Sequence, residues 1–337
     1  MKSTPTNILH AQSHHGVGLL FNFAILLESC NVVMLDLVTI KTTLQHYNFS
    51  TLQPQVKDTF FRKKTTINAG GRLIDLSSPK VMGIINLTPD SFFAGSRKRG
   101  IDEALQQAKK MLNEGATFLD LGAYSSRPKA EDISEQEETD RLLPVVEAIA
   151  DSFPDAVLSI DTFRSKVAEA AIKAGGHIIN DISGGQLDEN MFATVARLQV
   201  PYILMHMKGT PQNMLQQANY EDVFAEVYDY FADRCYQLKQ LGVHDLIIDP
   251  GFGFAKKTEH SYALMNRLQD FDMLQLPVLV GISRKTMIYK PLGLTANEAL
   301  NGTTALNTIA LTKGANILRV HDVKEAVEVV KVWGMCG

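Results

Sequence analysis

From Val81 onward the chain repeats one pattern: a short apolar, β-branched run, a loop, and an amphipathic stretch. The apolar runs are VMGIINL, TFLDLGA, AVLSIDT, HIINDIS, PYILMHM, LIIDPGF, PVLVGIS and NILRVHD. The stretches between them, such as DEALQQAKKMLNEG and SKVAEAAIKAG, have helical periodicity, and several end in glycine as helices do. Strict alternation of strand and helix predicts a parallel sheet. Eight repeats favour an α/β fold of the closed (β/α)8 TIM-barrel type over an open doubly wound sheet.

The residues before the first barrel strand have a different pattern. TINAGGRLIDL predicts a β-hairpin that caps the N-terminal end of the barrel. Residues 1–60 show little periodicity, and their apolar stretch, Val17 to Leu27, is too short to span a bilayer and lacks the signals of export. We expect residues 1–60 to form a poorly structured extension, or to include a misassigned start with translation beginning near Met34, and residues 61–337 to form the barrel domain.

Composition narrows the classes of function. The 337 residues are 45% hydrophobic and 21% charged, which is typical of a soluble globular domain with a large core. The formal net charge of -4 gives no general basic field for nucleic acid, and no membrane association is expected. Cys30, Cys235 and Cys336 show neither metal spacing nor a disulfide framework, which suits a reducing, cytoplasmic location.

Polar residues stand at the carboxyl end of almost every predicted strand, where the catalytic groups of a barrel lie. They are Asn86, Asp120, Asp161, Asn180, His206, Asp249, Ser283, Arg284, Lys285, Arg319 and His321. We assign Asp120 and His206 to structural roles such as capping the next helix. The convergence of the others predicts a binding site at this end of the barrel.

The remaining strand-end groups suggest two kinds of ligand. Carboxylates, an amide and a lysine deep in one pocket can read the edge of a flat heterocycle that carries an amide and an exocyclic amine. Arg319 and His321 are two residues apart on one strand and point the same way, so with Arg127 they could hold a multiply charged anion such as a diphosphate. Asn86 is an oxygen ligand available to Mg2+, whereas no thiol or histidine cluster suggests zinc.

Eight motifs along the chain resemble the dihydropteroate synthase family, the sulfonamide targets of folate synthesis, over about residues 65 to 335. They are GIINLTPDSF, SSRP, SIDTFRSKVAEAAIKAG, IINDISGG, LMHMKGTPQNM, IIDPGFGFAKK, VGISRK and RVHD. The resemblance implies a pterin-binding barrel that condenses 6-hydroxymethyl-7,8-dihydropterin diphosphate with 4-aminobenzoate to give 7,8-dihydropteroate and diphosphate. It also implies Mg2+ as cofactor and a homodimer formed through the last two helices.

Site residues follow from the same resemblance. It places the pterin at Asp161, Asn180, Met205, Asp249, Phe254 and Lys285, and of these it assigns catalysis to Asp161, Asp249 and Lys285. It places the diphosphate at Asn86, Ser126, Arg319 and His321, with Asn86 also on the metal. It places 4-aminobenzoate at Phe92, Arg127, Pro128 and Ser283. We expect a dissociative, SN1-like reaction in which carboxylates stabilise a pterin cation.

The chain departs from the family pattern after the second strand. Where the family has Gly-Gly-Glu-Ser-Thr-Arg-Pro, this chain has Gly-Ala-Tyr-Ser-Ser-Arg-Pro from Gly122. Tyr124 therefore replaces a carboxylate, and the family pattern does not predict how this loop packs. Lys256 and Lys257 are expected to be solvated loop charges.

Two other functions are alternatives. A methyltetrahydrofolate-dependent methyltransferase shares the pocket carboxylates and asparagine but needs no diphosphate site. A non-catalytic pterin-binding paralogue would have lost the anchors that are present here.

Overall fold

The structure is a computed structural model that describes residues 63–87, 97–126 and 132–336. The predicted extension, residues 1–60, lies outside the described residues, and its boundary stays a prediction. Three of the predicted 4-aminobenzoate residues, Phe92, Arg127 and Pro128, also lie outside them.

The described residues form strands and helices in the predicted alternating order. The strands are β1 (Thr66–Ala69), β2 (Arg72–Asp75), β3 (Lys80–Asn86), β4 (Phe118–Gly122), β5 (Val157–Asp161), β6 (Ile178–Asp181), β7 (Tyr202–Met205), β8 (Leu246–Asp249), β9 (Leu279–Val280) and β10 (Ile317–Val320). The α-helices are α1 (Arg97–Asn113), α2 (Glu135–Ser152), α3 (Ser165–Lys173), α4 (Met191–Leu198), α5 (Val223–Gln240), α6 (Thr258–Asn266), α7 (Thr286–Tyr289), α8 (Leu300–Thr312) and α9 (Val323–Gly334). Leu268–Leu274 and Ala296–Glu298 are 3-10 helices.

The eight strands β3 to β10 form one parallel sheet in the order β8-β7-β6-β5-β4-β3-β10-β9. A parallel bridge between Ile248 in β8 and Val278, just before β9, joins its two edges. The sheet therefore makes a nearly closed ring, and the predicted (β/α)8 TIM barrel is confirmed.

The floor of the barrel is a layer of apolar side chains, one from each strand. Its members are Met82, Phe118, Val157, Ile178, Ile203, Ile247, Leu279 and Ile317. The β1-β2 hairpin lies against this layer and contributes Ile67, Ala69 and the following Leu76 to the same buried cluster. Because the hairpin turns through Gly70 and Gly71, both with positive φ, the chain reverses tightly enough to close the N-terminal end. The predicted hairpin cap is confirmed.

The outer face of the sheet is buried by the helices. Residues that alternate with the inward set, such as Val81, Leu119, Leu158 and Leu204, belong to the large cluster shared with the helices. Among the described residues, no helix is both long enough and apolar enough to cross a membrane.

Side chains along a strand alternate between its two faces, so the residue two positions beyond each floor residue points into the barrel again. In five strands that residue is polar: Asp120, Ser159, Asn180, Asp249 and Arg319. The barrel thus places a polar layer directly above its apolar floor.

Candidate active site

Arg319 forms the central ion pair of the polar layer. Its Nε donates a hydrogen bond to Asp120 Oδ2 at 2.6 Å, and its Nη2 donates to Asp161 Oδ2 at 2.6 Å. Burial disfavours the guanidinium, but the charges of Asp120 and Asp161 outweigh burial and raise the pKa of Arg319. One cation from β10 therefore faces two carboxylates, from β4 and β5.

Asp120 is fully buried and holds a second side chain as well. Its carboxylate accepts hydrogen bonds from Asn180 Nδ2, at 3.1 Å to Oδ2 and 3.3 Å to Oδ1. Asp120 has a structural role, as expected, but not as a helix cap: the residue faces the barrel interior and fixes both Asn180 and Arg319. The alternation of inward positions along β4 is a sequence signal that could have found it.

Asp161 stands at the tip of β5, four residues beyond the floor residue of its strand. Burial raises the pKa of its carboxyl to about 7. The positive charge of Arg319 opposes this rise, and the negative charge of Asp120 adds to it. Gly122 on the neighbouring strand leaves room for it, since a Cβ there would lie 3.1 Å from the Asp161 Cβ. The group changes charge close to neutral pH.

Asp249 and Lys285 carry the other charged pair of the site. Asp249 is buried, and its Oδ1 accepts a hydrogen bond from the backbone N–H of Gly251 at 2.8 Å. Burial raises the pKa of Asp249, and the Lys285 charge opposes this. Burial also lowers the pKa of Lys285 to about 8, opposed by Asp249. The Lys285 ammonium donates to Phe252 O at 2.5 Å and lies 4.6 Å from the ring centre of Phe254.

The other wall of the site is apolar. Met205 and Phe254, both predicted site residues, belong to one cluster with Phe163, Met207 and Met214. A flat ligand between this wall and the polar layer would be held by packing on one side and by hydrogen bonds on the other.

The predicted anion-binding residues lie at the ends of neighbouring strands. His321 donates its backbone N–H to Ser283 Oγ at 3.2 Å, and its Nδ1 lies 3.1 Å from the same oxygen. Ser283, assigned to 4-aminobenzoate, is thus in direct contact with a predicted diphosphate residue. Asn86 is half-buried at the end of β3, which lies between β10 and β4, and Ser126 is half-buried four residues beyond the end of β4.

Lys256 is not the solvated charge that the sequence predicted. It is buried, and its Nζ contacts three acceptors: His206 Nδ1 at 2.9 Å, His206 O at 3.1 Å and Phe254 O at 3.0 Å. His206 therefore has a structural role as expected, but as a partner of Lys256 and not as a helix cap. Lys257 is exposed, as predicted. No periodicity distinguishes the two lysines, because both follow an irregular turn.

The described parts of the chain hold no cluster of three His, Cys, Asp or Glu side chains that could bind a metal ion by themselves. The Asn86 amide oxygen at the end of β3, beside the strand that carries Arg319, fits a Mg2+ ion that keeps most of its waters and completes its shell with phosphate oxygens.

Comparisons with known proteins agree with this geometry. Residues 82–321 match the family described as pterin binding enzyme. The chain is 44% identical over 266 residues to dihydropteroate synthase of Escherichia coli strain K12, covering 78% of this chain and 94% of that protein.

Solved structures match over a similar range. Dihydropteroate synthase of Yersinia pestis in a sulfonamide drug complex superposes with a TM-score of 0.76 at 41% identity, over 80% of this chain and 98% of that one. The Xanthomonas albilineans enzyme in complex with 7,8-dihydropteroate gives a TM-score of 0.72 at 35% identity, over 80% and 98%. The chain belongs to the dihydropteroate synthase family of pterin-binding enzymes.

Proposed function

We propose that this protein condenses 6-hydroxymethyl-7,8-dihydropterin diphosphate with 4-aminobenzoate, forming 7,8-dihydropteroate and releasing diphosphate in folate biosynthesis. The observation that carries the proposal is the polar layer of the barrel, where Asp161, Asn180, Asp249 and Lys285 converge beside Arg319. A pterin needs such acceptors and donors along one edge, and its diphosphate needs the adjacent cation.

The pterin is held between an apolar wall and the polar layer. Asp161, Asn180, Asp249 and Lys285 read its hydrogen-bonding edge, while Met205 and Phe254 pack against its faces. Lys285 already lies over the Phe254 ring, so its ammonium and that ring approach the ligand together. Asp120 does not touch the substrate in this account; it orients Asn180 and Arg319.

Arg319 binds the departing diphosphate together with His321, Ser126 and Asn86. Without substrate its Nη2 pairs with Asp161, so substrate binding exchanges that contact for one with a phosphate oxygen. The Nε contact with Asp120 anchors the guanidinium during this exchange. Arg319 thereby neutralises the Asp161 carboxylate in the empty site. When the substrate is bound, the negative charge of Asp161 is no longer paired with Arg319.

Mg2+, with Asn86 as its protein ligand, would neutralise charge on the diphosphate when bound. Arg319, on β10, and His321, in the loop that follows β10, bind the same leaving group.

The reaction follows a dissociative path. As the bond between the pterin methylene carbon and the diphosphate oxygen breaks, the electron pair leaves with the oxygen and positive charge spreads into the pterin ring. The Asp161 and Asp249 carboxylates, buried and close to the ring, stabilise that charge, and Lys285 holds the ring edge. The amine of 4-aminobenzoate then attacks the methylene carbon and loses a proton to solvent water. Heavy-atom isotope effects that show strong bonding to the amine in the transition state would contradict this path.

The second substrate approaches from the outer side of the site. We propose Phe92, Arg127 and Pro128 around its ring and Ser283 at its carboxylate. Ser283 contacts His321, a residue proposed to bind the diphosphate. This contact supports a carboxylate position next to the leaving diphosphate, because the Ser283 hydroxyl can interact with the carboxylate and with His321.

The protein is proposed to work as a cytoplasmic homodimer. Leu300 and Ile309 on α8 and Val332 on α9 are exposed apolar side chains on the last two long helices, which pack against each other. Apolar residues on adjacent helices suit a symmetric interface.

The activity is tested by product analysis. Purified protein is incubated with Mg2+, the pterin diphosphate and 4-aminobenzoate, and 7,8-dihydropteroate is measured by chromatography with mass detection. Parallel incubation with methyltetrahydrofolate and a methyl acceptor tests the methyltransferase alternative. Methyl transfer without dihydropteroate would overturn the proposal, and pterin binding without either product would indicate a non-catalytic paralogue.

A further inference from the structure

Glu138 is a fully buried carboxylate on α2 that takes no part in the proposed reaction. Its Oε1 accepts a hydrogen bond from Thr162 Oγ1 at 2.6 Å, and its Oε2 accepts one from Arg164 Nη1 at 2.6 Å. Both donors belong to the chain that directly follows β5. A buried carboxylate is costly unless it is paired and hydrogen-bonded, so Glu138 depends on this segment and holds it in place.

Thr162 connects the Glu138 carboxylate to two of the proposed pterin-binding residues. It follows Asp161 directly in the sequence, and its backbone N–H donates to Asn180 O at 3.1 Å. Its hydroxyl accepts a hydrogen bond from the backbone N–H of Arg164 at 3.2 Å. Because its side chain and its backbone both have partners, Thr162 fixes the end of β5 next to Asp161.

Arg164 holds the far end of the same segment. Its Nη2 donates to Ile133 O at 2.6 Å, and its guanidinium carbon lies 5.0 Å from the ring centre of Phe163. Phe163 belongs to the apolar wall of the site. The segment that Glu138 holds therefore carries one carboxylate of the site, Asp161, and one aromatic ring of its wall.

The charge of Glu138 also acts on Asp161. Charged groups from five parts of the barrel influence the Asp161 carboxyl: Arg319 on β10, Lys285 after β9, Asp120 on β4, Asp181 on β6 and Glu138 on α2. The two cations favour the ionised carboxyl, whereas the three carboxylates raise its pKa. Removal of the Glu138 charge should therefore lower the pKa of Asp161.

We propose that Glu138 is a positioning residue for Asp161 and acts through Thr162. The hydrogen bond between the two side chains sets where the end of β5 places the Asp161 carboxylate against the pterin. The inference rests on the proposed synthase activity. It assigns no contact between Glu138 and either substrate, because both carboxylate oxygens have protein partners.

Two variants of Thr162 test the hydrogen bond. Thr162→Val keeps the shape of the side chain and removes the hydroxyl, whereas Thr162→Ser keeps the hydroxyl. We expect Thr162→Val to lower kcat/KM for the pterin diphosphate about three- to tenfold, with KM for 4-aminobenzoate within about twofold of the wild type. Thr162→Ser should stay within about twofold in both constants. Thr194→Val, at a buried threonine on α4, is the control and should change neither.

Glu138→Gln tests the charge. The acid limb of the kcat/KM profile should move to lower pH, on the order of 0.5 pH unit, because Asp161 loses a nearby negative charge. Glu137→Gln is the matched control: this neighbouring glutamate on α2 is exposed, pairs with Arg141, and should leave the limb unchanged. The Thr162 variants retain the Glu138–Arg164 pair, so they test the proposal even if Glu138→Gln fails to fold.

A titration of Asp161 by carbon-13 NMR needs no substrate. Aspartate carboxyl carbons are labelled, and the Asp161 signal is assigned by its loss in Asp161→Asn. The signal should titrate at lower pH in Glu138→Gln than in the wild type and in Glu137→Gln. Absence of product from the wild type would refute the synthase activity but leave this titration intact. Equal losses of kcat/KM in Thr162→Val and Thr162→Ser, no loss in Thr162→Val, or an unchanged titration in Glu138→Gln would overturn the role of Glu138.

Discussion

At the level of single residues, Asp161 and Lys285 give the site two groups that titrate near neutral pH. Burial raises the pKa of Asp161 to about 7 and lowers that of Lys285 to about 8. In the proposed mechanism, pterin binding needs Asp161 ionised and Lys285 protonated. We therefore predict that kcat/KM for the pterin diphosphate rises as pH increases through about 7 and falls above about 8.

Two substitutions assign the limbs of that pH profile. Asp161→Asn should remove the acid limb and lower kcat/KM by about 10²-fold or more, because it removes a charge that stabilises the transition state. Lys285→Arg should move the alkaline limb to higher pH, since an arginine stays protonated over this range. Initial rates measured from pH 5.5 to 9.5 check both. An unchanged acid limb in Asp161→Asn would contradict the assignment.

Asp120 provides a second prediction at this scale. Asp120→Asn leaves the Arg319 guanidinium with one carboxylate where it had two. We expect unfolding free energy to fall by about 3 kcal/mol, as for a broken buried ion pair, and KM for the pterin diphosphate to rise. Glu103→Gln, which removes an exposed pair with Arg99, is the control and should cost no more than about 1 kcal/mol. Equal losses in the two variants, measured by urea unfolding, would contradict the role of Asp120.

Individual side chains were predictable where a strand fixes their direction. Asp161, Asn180, Asp249 and Arg319 meet because alternation along parallel strands points them inward. Lys256 could not be predicted, because its burial depends on a turn whose path over His206 has no periodic signal. The pairing of Arg319 with Asp161 was likewise not evident, since it depends on distances across the barrel.

At the scale of elements, the turn after β8 positions Asp249 and Phe254 together. Gly251 has a φ of +69°, and a Cβ there would lie 2.2 Å from His206 O. The turn is further held by Lys256 and by the Tyr220 hydroxyl, which donates to Ala255 O at 2.9 Å. This turn therefore needs a glycine for its conformation and for close approach.

A pair of glycine substitutions tests that requirement. Gly242→Ala is the matched control, because Gly242 also has a positive φ, +82°, but a Cβ there meets nothing within 4 Å. We expect Gly242→Ala to cost about 1–2 kcal/mol from backbone strain alone. Gly251→Ala should cost about 3 kcal/mol or more and weaken pterin binding, because it adds a backbone clash. Equal costs in urea unfolding would show that the turn adapts.

The order and type of the elements were predictable from periodicity alone. The eight apolar runs correspond to β3 through β10, and the glycine pair marks the hairpin turn. Short elements were not predicted: α7 has four residues, and the chain at Leu268–Leu274 forms a 3-10 helix. Neither is long enough to produce a helical repeat.

For the whole molecule, the exposed apolar side chains of α8 and α9 lead to a prediction about assembly. Light scattering should give the mass of two chains. Ile309→Asp should give the mass of one chain, because a carboxylate at an apolar interface is costly to bury. Leu73→Asp, at a residue that is 76% exposed on the hairpin at the N-terminal end of the barrel, is the control and should stay dimeric. A monomeric wild-type protein would contradict the proposed homodimer.

The fold of the barrel follows from the repeating pattern of the sequence, whereas the proposed reaction follows from the side chains that the barrel brings together. An apolar floor covered by a hairpin fills the N-terminal end of the barrel, and the polar layer lies above it toward the carboxyl ends of the strands. There the polar layer joins the proposed pterin-reading set to the proposed anion-binding set.

The central claim is that both sets act on one substrate, and a coupled assay for diphosphate tests it most directly. Diphosphate is measured with Mg2+, the pterin diphosphate and 4-aminobenzoate present, and then with each omitted in turn. We predict sustained release in step with 7,8-dihydropteroate when all three are present, and loss of sustained release when any one is omitted. No diphosphate from the complete mixture, or equal release without 4-aminobenzoate, would contradict the account.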